Sequence, residues 1–480
     1  MVKTMLSAAL MLLAPSLVLA QEGSLTSAGI NPNYKCDSST CTLPKCYCAS
    51  NKPPNGLSPQ SIPQFMTLTF DDAVNSVVEP VIQSLVGNKT NPNGCPLAAT
   101  FFVSTQYTDY WRVQTLYGNG HEIAVHTMNH VARPSAIEIQ GAQTALNQYA
   151  GVPKKELVGF RHPFLDYNQQ SFQNLASLGT FKYESSMPMD PKGAIWPYTL
   201  DFGPAISCAT GDCTGNFNFP GLWSIPMANL ENPDGSLNAS MDPNAPIGST
   251  LSKDQLVTLL KHNFQLHYTG NRTPMGLFIH ASTALPSIEP VRLTAYNEFI
   301  QWTLDNYPDV YWVSNQQLLA WMQNATSTAD SLRNPALSCK IAARDASNIE
   351  ICDGVDNKGD GQIDSGLVES CQYPTQNAYF STCFGCPSKA PNISDISPSR
   401  TSTRGFVPDA GCPNGGTWNP LTSQCVSLKR PSPVIKVALQ TATGTTTPGK
   451  SGAAGRLASG VTVGYMSAVV AALAVAALAF

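Results

Sequence analysis

The amino-acid sequence predicts an α/β fold, with a parallel sheet that is either open or closed into a barrel. Between residues 64 and 324, short apolar runs alternate along the chain with amphipathic stretches of helical length, a pattern typical of strand–helix repeats. Several apolar runs end in a carboxylate, an arginine or a histidine, at the place where α/β enzymes build their sites. This part of the chain is long enough to bury one large core.

The individual strands and helices follow from the spacing of apolar residues. Compact apolar runs predict strands at residues 66–70, 98–103, 122–125, 157–160, 222–227, 275–279 and 310–313. The amphipathic stretches between them predict helices, for example at residues 135–149, 253–267 and 293–306. This alternation is the basis of the α/β prediction.

Composition divides the chain into six parts. The predicted parts are a cleaved secretory signal (1–20), a cysteine-rich N-terminal segment (21–60), a catalytic domain (61–325), a cysteine-rich C-terminal region (326–430), a Ser/Thr/Gly-rich stalk (431–455) and a removed tail (456–480). The signal is indicated by Lys3 before an apolar stretch and by the small residue Ala20 at its end.

The C-terminal tail predicts a glycolipid anchor. It is apolar and uncharged from about Val461 onward and follows the small residues 451–455, the pattern of an anchor signal that is removed. A transmembrane helix is the alternative, since the length suits both. No basic residue follows the tail to hold a cytoplasmic side, which favours the anchor. We therefore expect a secreted protein at the cell surface, held at the plasma membrane by the anchor, in the cell wall, or both.

Cysteines, sequons and charge agree with export. The 14 cysteines are expected to form disulfides, because export delivers them to an oxidising compartment. Five Asn-x-Ser/Thr sequons predict glycosylation, at Asn88, Asn238, Asn271, Asn324 and Asn392. A net charge of -4 without a long Lys/Arg cluster gives no electrostatic footprint for nucleic acid. The sequence does not set the oligomeric state.

Two of the strand ends carry groups that bind metal ions in other proteins. Asp71 and Asp72 stand side by side after the apolar run 65–70. His126 and His130 follow the next-but-one predicted strand. On a helical turn, histidines four residues apart point to one side and reach one cation. A pair of polar surface or capping histidines is the alternative, but their position at a strand end favours ligands.

Two further strand ends carry an arginine and a histidine. Arg161 either lies at the surface or pairs with a buried carboxylate, and Pro163 is a turn former. His280 comes directly after three apolar residues, a setting in which a lone histidine is more often a hydrogen-bonded structural residue. Four such strand ends within one domain favour a common site.

In chain order these motifs resemble the polysaccharide deacetylase family of carbohydrate esterases, and within it the chitin deacetylase-like members. The motifs are Thr69-Phe70-Asp71-Asp72, His126-Thr127-Met128-Asn129-His130, Arg161-His162-Pro163-Phe164 and Leu277-Phe278-Ile279-His280. The resemblance covers roughly residues 60–325. It implies a distorted (β/α) barrel, to which the cysteine-rich N- and C-terminal parts are extensions.

The resemblance also implies a metal site. Asp72, His126 and His130 would bind Zn²⁺, with another divalent metal such as Co²⁺ as the alternative, and leave positions open for water and substrate. Because successive residues of an extended chain point to opposite sides, Asp71 and Asp72 are expected to have different roles. A divalent metal at this place would polarise an acetamide carbonyl and activate water.

The remaining chemical roles are also implied by the resemblance. Asp71 would be the general base, His280 the general acid, and Arg161 would hold Asp71 charged and oriented. These are the proton-transfer groups that hydrolysis of an amide requires.

Substrate contacts are implied at two further places. The backbone N–H of Phe164, next to Pro163, would stabilise the oxyanion. The family usually has an Asp-Trp pair near the catalytic histidine, and the nearest candidates in this sequence are Trp196 and Asp201. Trp196 would wall the acetyl pocket or, alternatively, belong to the core.

The C-terminal region has two weaker motifs. Residues 356–364 resemble the start of a calcium loop, with Ca²⁺ ligands at Asp356, Asp360 and Asp364. Lys358 occupies a usual ligand position, so an acidic turn is the alternative. Residues 412–425 resemble part of a chitin-binding module, and a small disulfide-stapled fold without ligand is the alternative.

The sequence as a whole predicts a zinc-dependent hydrolase that removes N-acetyl groups from chitin or a related N-acetylglucosamine polysaccharide, giving chitosan and acetate, in modification of the cell wall. Two alternatives stay open. One is an esterase of the same family that removes O-acetyl groups from a glycan such as xylan. The other is a non-catalytic, chitin-binding wall protein, whose expected signature is the loss of a site residue; Asp71, His280 and the three candidate ligands are all present.

Overall fold

A nine-stranded sheet forms the centre of the structure, and its strands alternate along the chain with helices. The strands are β1 (Gln64–Asp72), β2 (Thr100–Val103), β3 (Glu122–Val125), β4 (Gly159–Phe160), β5 (Tyr183–Glu184), β6 (Pro188–Met189), β7 (Tyr198–Thr199), β8 (Trp223–Ser224), β9 (Met227–Ala228), β10 (Leu230–Glu231), β11 (Leu237–Asn238), β12 (Met275–His280), β13 (Val310–Val313), β14 (Glu369–Tyr373), β15 (Ala378–Thr382), β16 (Thr417–Asn419) and β17 (Gln424–Val426). The α-helices are α1 (Glu79–Val86), α2 (Tyr110–Gly118), α3 (Ala136–Ala150), α4 (Gln169–Ser177), α5 (Lys253–Thr269), α6 (Arg292–Asn306), α7 (Asn315–Gln323) and α8 (Thr328–Ser331).

The structure is a computed structural model that describes part of the chain. The described residues are 31, 33–243, 251–340, 368–400, 417–419 and 424–426, the last two ranges by their backbone alone. They belong to the compact unit Glu22–Pro433, while the second unit comprises Met1–Gln21 and Val434–Phe480. The predicted secretory signal, the anchor tail and the calcium ligands Asp356, Asp360 and Asp364 lie outside the described residues.

The central sheet confirms the predicted α/β class. Its strand order is β12-β1-β2-β3-β4-β5-β8-β7, and β13 pairs with the first half of β1. Neighbouring strands are parallel except for β7 and β8. Among the described residues no strand pair joins β7 to β12, so the sheet forms an open, distorted barrel. Strand β1 has partners on both edges, and its side chains are buried up to Asp71 because both faces of the sheet are covered.

Alternate strand residues serve two apolar layers. Leu68 and Val125 pack beneath the helices, whereas Phe65, Phe102 and Ala124 face the inside of the barrel. Side chains alternate across a strand, so one continuous apolar run supplies both layers. Helix α7 belongs to the inner layer through its buried residues Leu318 and Trp321.

The predicted helices are confirmed, with ends that differ by one or two residues. The predictions 135–149, 253–267 and 293–306 correspond to α3, α5 and α6. Helix α5 begins with a capping box between Ser252 and Gln255. Helix α3 ends at Gly151, whose φ of 66° is the left-handed conformation that glycine adopts without strain.

Three predicted strands are shorter than expected. Of residues 98–103, only β2 (Thr100–Val103) is a strand. Residues 157–160 contribute only β4, and residues 222–227 divide into β8 and β9. The division falls at Pro226, which has no N–H to donate to a neighbouring strand.

Disulfides in the described part of the chain confirm that cysteines pair as expected. The described disulfides are Cys36–Cys48, Cys41–Cys46, Cys95–Cys339, Cys208–Cys213 and Cys371–Cys386. None of the five sequon asparagines is buried. Within the described part of the chain, no helix has both the length and the apolar character needed to cross a bilayer.

A glycine in β4 provides a test of the inner packing. A Cβ atom added to Gly159 would overlap the phenol ring of Tyr183, which is fully buried and donates a hydrogen bond to Glu122. Because this ring has no space to move, we expect Gly159→Ala to lower the free energy of unfolding by about 1–3 kcal/mol. The control is Gly193→Ala, since nothing lies within 4 Å of a Cβ atom there. Equal urea midpoints for the two variants would contradict this description.

Candidate active site

The carboxyl ends of β1, β3, β4 and β12 meet at one edge of the barrel and bring the predicted site residues together. Asp71 of β1 is paired in register with His280 of β12. His126 follows β3, and Arg161 follows β4. The four strand ends that the sequence singled out therefore form one site.

Arg161 is fully buried beneath this site and holds Asp71. One terminal nitrogen (Nη1) donates to Asp71 Oδ1 at 2.6 Å and to Thr69 Oγ1 at 2.8 Å. Nε and Nη2 donate to the backbone oxygen and the hydroxyl of Ser185, at 2.5 and 3.1 Å. The guanidinium also lies 4.1 Å from the ring centre of Phe102. A charged group stays buried only when it is paired and hydrogen-bonded in this way.

The two adjacent aspartates converge because the backbone changes direction between them. Asp71 lies on the same strand face as Thr69, toward the barrel interior and Arg161. Simple alternation would turn Asp72 to the opposite face, but its φ of 77° is left-handed. This conformation, unusual for a residue with a side chain, places the Asp72 carboxylate 3.7 Å from His126 Nε2 and 3.2 Å from His130 Nε2.

His126 and His130 do not lie on a helical turn, so that part of the sequence prediction is wrong. Residues 126–130 form an irregular loop, in which Thr127 and His130 have φ values of 78° and 48°. The two rings nevertheless face the same point, with centres 5.1 Å apart. A loop that is strained at two residues thus gives the convergence that the spacing had suggested through a helix.

Asp72, His126 and His130 fit a divalent cation. Their ligand atoms lie within 4.8 Å of one another, and Asp72 Oδ1 is buried without a hydrogen-bond partner among the described residues. His126 Nδ1 lies 2.9 Å from the backbone oxygen of Arg161, so this nitrogen carries the proton and Nε2 offers its lone pair. Burial lowers the pKa of His126 to about 4, which keeps the ring neutral, as metal binding requires.

His280 is held by an aspartate that the sequence analysis missed. Asp242 Oδ2 lies 2.7 Å from His280 Nδ1, and Asp242 Oδ1 accepts from the backbone N–H of His280 and from the hydroxyl of Thr283, both at 2.8 Å. Burial alone would lower the pKa of His280, but the carboxylates of Asp242, Asp72 and Asp71 together outweigh it and raise this pKa well above its usual value. The other ring nitrogen faces Asp72 Oδ2 at 3.7 Å, so a protonated His280 points into the site.

Asp242 carried no recognisable sequence signal. It follows Met241, whose single bridge to Phe278 is too short to give the alternating pattern of a strand. Only the apolar Met241 before an acidic residue and Pro243 marks the place.

Trp196 and Asp201 do not reach this site, which corrects the expectation placed on them. Trp196 is fully buried and stacks on Trp321 with ring centres 5.8 Å apart, so it belongs to the core. Asp201 accepts a hydrogen bond from the backbone N–H of Gly221. It lines a groove of about 640 Å³ together with Val158 and Lys182, residues that precede β4 and β5 and so lie at the opposite edge of the sheet.

Pro163 and Phe164 lie at the rim of the site. Pro163 begins a single 3₁₀ turn, and Phe164 follows with a left-handed φ of 59°. The Phe164 ring is 54% exposed and meets the ring of His130 edge to face at 4.5 Å. Beside it, Leu165 packs on a small apolar cluster that includes Phe278. The rim therefore offers an exposed ring and an apolar surface next to the candidate cation site.

A carboxylate and a protonated histidine on either side of a candidate cation site are suited to hydrolysis of an acyl bond. The class that fold and site define is a hydrolase built on an open α/β barrel.

Comparison with known proteins shows which family of hydrolases the chain belongs to. A family model described as polysaccharide deacetylase matches residues 60–181. Chitin deacetylase 1 of Bombyx mori is 29% identical over 380 residues, which are 75% of this chain and 68% of that protein. Chitin deacetylase 8 of Bombyx mori is 30% identical over 303 residues, 60% of this chain and 78% of that protein. The chain therefore belongs to the polysaccharide deacetylase family.

Among solved structures, a putative polysaccharide deacetylase from Mycobacterium smegmatis is 19% identical. The match covers 62% of this chain and 99% of that one, with a TM-score of 0.39.

The candidate cation site predicts a difference between the two adjacent aspartates. We expect Asp72→Asn to lower affinity for a divalent cation by at least about 100-fold, because it removes the charged ligand. Asp71→Asn should keep the cation, since an amide oxygen still accepts from Arg161. Competition with a chelating dye, using Zn²⁺ and Co²⁺ in turn, measures both affinities. Equal cation affinity in the two variants would contradict the division of roles.

Proposed function

We propose that the protein is a zinc-dependent N-deacetylase that hydrolyses the acetamide groups of chitin or a related N-acetylglucosamine polymer. The observation that carries the proposal is the convergence of three groups at one edge of the barrel. These are the candidate ligands with Asp72 at their centre, the buried carboxylate of Asp71, and His280 held by Asp242. The names of the two chitin deacetylases support the choice of polymer.

Zinc suits the donor set that the chain offers. A carboxylate with two neutral imidazoles is typical of catalytic zinc sites, which keep a position open for water and substrate. When bound, the ion would polarise the acetamide carbonyl and lower the pKa of a water molecule. Asp72, His126 and His130 would hold it.

Asp71 would act as the general base. Its Oδ1 is occupied by Arg161, so Oδ2 is the atom that accepts the proton of the attacking water. This oxygen lies 4.0 Å from His126 Nε2, on the side of the candidate ligands. The hydrogen bond from Arg161 prevents the carboxylate from rotating away.

His280 would act as the general acid from the other side. Asp242 holds its Nδ1 and keeps the ring protonated, so Nε2 can donate to the amine that leaves the acetyl carbon. The backbone N–H of Phe164 would donate to the oxyanion, and the apolar surface around Leu165 would accommodate the acetyl methyl group. The products are acetate and a free glucosamine amine.

The proposed place of action is the outside of the cell. The signal pattern, the five sequons and the anchor tail support export, N-glycosylation and attachment by a glycolipid. A cell-surface location would bring the site to the polysaccharide of the wall.

Acetate release tests the reaction and the substrate. We expect the purified, zinc-loaded protein to release acetate from chitin oligomers, and a chelator to lower the rate by about 100-fold or more. Asp71→Asn should lower kcat by about 10²- to 10⁴-fold, because it removes the general base. Acetylated xylan is the second substrate. Acetate from xylan alone would overturn the assignment to chitin, and acetate from neither would overturn the proposed reaction.

Two aspartates distinguish the site found in the structure from the one expected from sequence. Asp242→Asn should lower kcat on chitin oligomers by about 100-fold or more, because His280 loses the group that orients and protonates it. Asp201→Asn should leave kcat unchanged, since Asp201 lies at the opposite edge of the sheet. Steady-state kinetics of both variants decide this, and a larger loss from Asp201→Asn would refute the role of Asp242.

A further inference from the structure

Two exposed tyrosines from distant parts of the chain lie next to each other beside the candidate active site. The ring centres of Tyr107 and Tyr379 are 6.4 Å apart, at an angle of 60°. The two residues are 41% and 61% exposed. Large aromatic residues are costly to leave in water, and exposed apolar groups that lie together mark binding surfaces more often than single ones do. We call this pair the tyrosine platform.

Tyr107 lies in the loop between β2 and α2, which is fastened to both loops that carry the candidate ligands. Its backbone oxygen accepts from Asn75 Nδ2 at 3.2 Å, three residues after Asp72. On the other side, Thr105 Oγ1 donates to the backbone oxygen of Met128 at 2.8 Å, between the two histidines. Tyr107 is therefore held at the same edge of the barrel as the site, on the loop between its metal-binding loops.

The backbone of Tyr107 is strained, with a φ of 59°. A bulky residue rarely adopts this conformation, and such strain is found most often at functional sites, where the surrounding structure holds it.

Tyr379 is brought to Tyr107 by the C-terminal cysteine-rich region. It lies on β15, and Ser381, two residues further on the same strand face, donates to Asp109 Oδ1 at 3.0 Å. Thr382 Oγ1 donates to the backbone oxygen of Tyr149 at 2.6 Å. Residues 379 and 381 thus lie opposite residues 107 and 109. These contacts fix the antiparallel pair β14–β15 in a position that leaves the Tyr379 ring exposed to solvent.

We propose that the tyrosine platform binds a sugar ring of the polysaccharide substrate, outside the unit whose acetyl group reacts. The proposal builds on the proposed function and extends its site into the C-terminal region. A tyrosine offers a rigid apolar face with a polar hydroxyl, which suits a pyranose ring with its C–H face and surrounding hydroxyls. The hydrogen bonds of Asn75 and Thr105 join the loop of Tyr107 to the candidate active site. We therefore expect the ligand of the platform to be the same polymer that reacts in the site.

The test compares short and long substrates. Tyr379→Ala should lower kcat/KM on a chitin hexamer by about three- to tenfold, the value of one aromatic contact, mainly through KM. On a chitin dimer, which offers at most one sugar ring beyond the reacting unit, kcat/KM should fall much less. Tyr379→Phe, which keeps the ring, should resemble the wild type on both. Ile393→Ala, at an exposed residue of the same region, is the matched control.

A binding measurement gives a second readout without turnover. In an Asp71→Asn background, Tyr379→Ala should weaken retention on insoluble chitin, while Ile393→Ala should not. If the wild type is active and Tyr379→Ala has the same kcat/KM at every oligomer length, the platform is overturned and the proposed function stands. An equal loss on dimer and hexamer would mean that Tyr379 acts on the fold, which also overturns it. Acetate release from no oligomer by the wild type would overturn the proposed function and the platform together.

Discussion

The buried guanidinium of Arg161 is the constraint on which the arrangement of the site depends. It donates to Asp71 and Thr69 on β1 and to Ser185 after β5, while its own backbone oxygen contacts the ring of His126. A buried charge that loses its partner costs about 3–5 kcal/mol, so the ends of β1, β4 and β5 cannot move apart without a large penalty. The same contacts that satisfy the charge therefore fix the direction of the base and the tautomer of one candidate ligand.

Two histidines of this site obtain opposite properties from their surroundings. His126 is buried, with its Nδ1 directed to a backbone oxygen, and burial lowers its pKa to about 4. His280 is also surrounded by protein, but the neighbouring carboxylates, that of Asp242 foremost, together outweigh burial and raise its pKa well above the usual value. A neutral ring suits a metal ligand and a protonated ring suits a general acid. Pairs of titratable groups whose environments separate their pKa values are typical of acid–base sites.

Much of the fold could be predicted because its determinants are local. Apolar runs that bury both faces of parallel strands are visible in the sequence, and so are the groups at their ends, including Asp71 and Arg161. The loop at residues 126–130 could not be predicted, since the spacing of its histidines also fits a helix and the left-handed backbone at His130 is set by tertiary contacts. Asp242 reaches His280 through a single bridge beside β12, which leaves no pattern. Trp196 was a candidate only as the nearest counterpart of the family's Asp-Trp pair, and the three-dimensional packing shows that it lies in the core.

The two ends of the strands differ in the groups that they carry. At the amino ends of the strands, the Glu122 carboxylate accepts from Tyr183, from Thr100 and from the backbone of Gln316 at the start of α7. At the carboxyl ends, side-chain-bearing residues with left-handed φ values cluster around the site, at Asp72, Thr127, His130, Phe164 and Tyr107. Each such residue costs of the order of 1 kcal/mol or more, which the surrounding structure must offset. Side chains that are consecutive or close in sequence can meet at one point only where such left-handed residues redirect the backbone. In a regular strand, neighbouring side chains would point to opposite faces. The strain is thus the means by which a short stretch of chain places several groups around one cation.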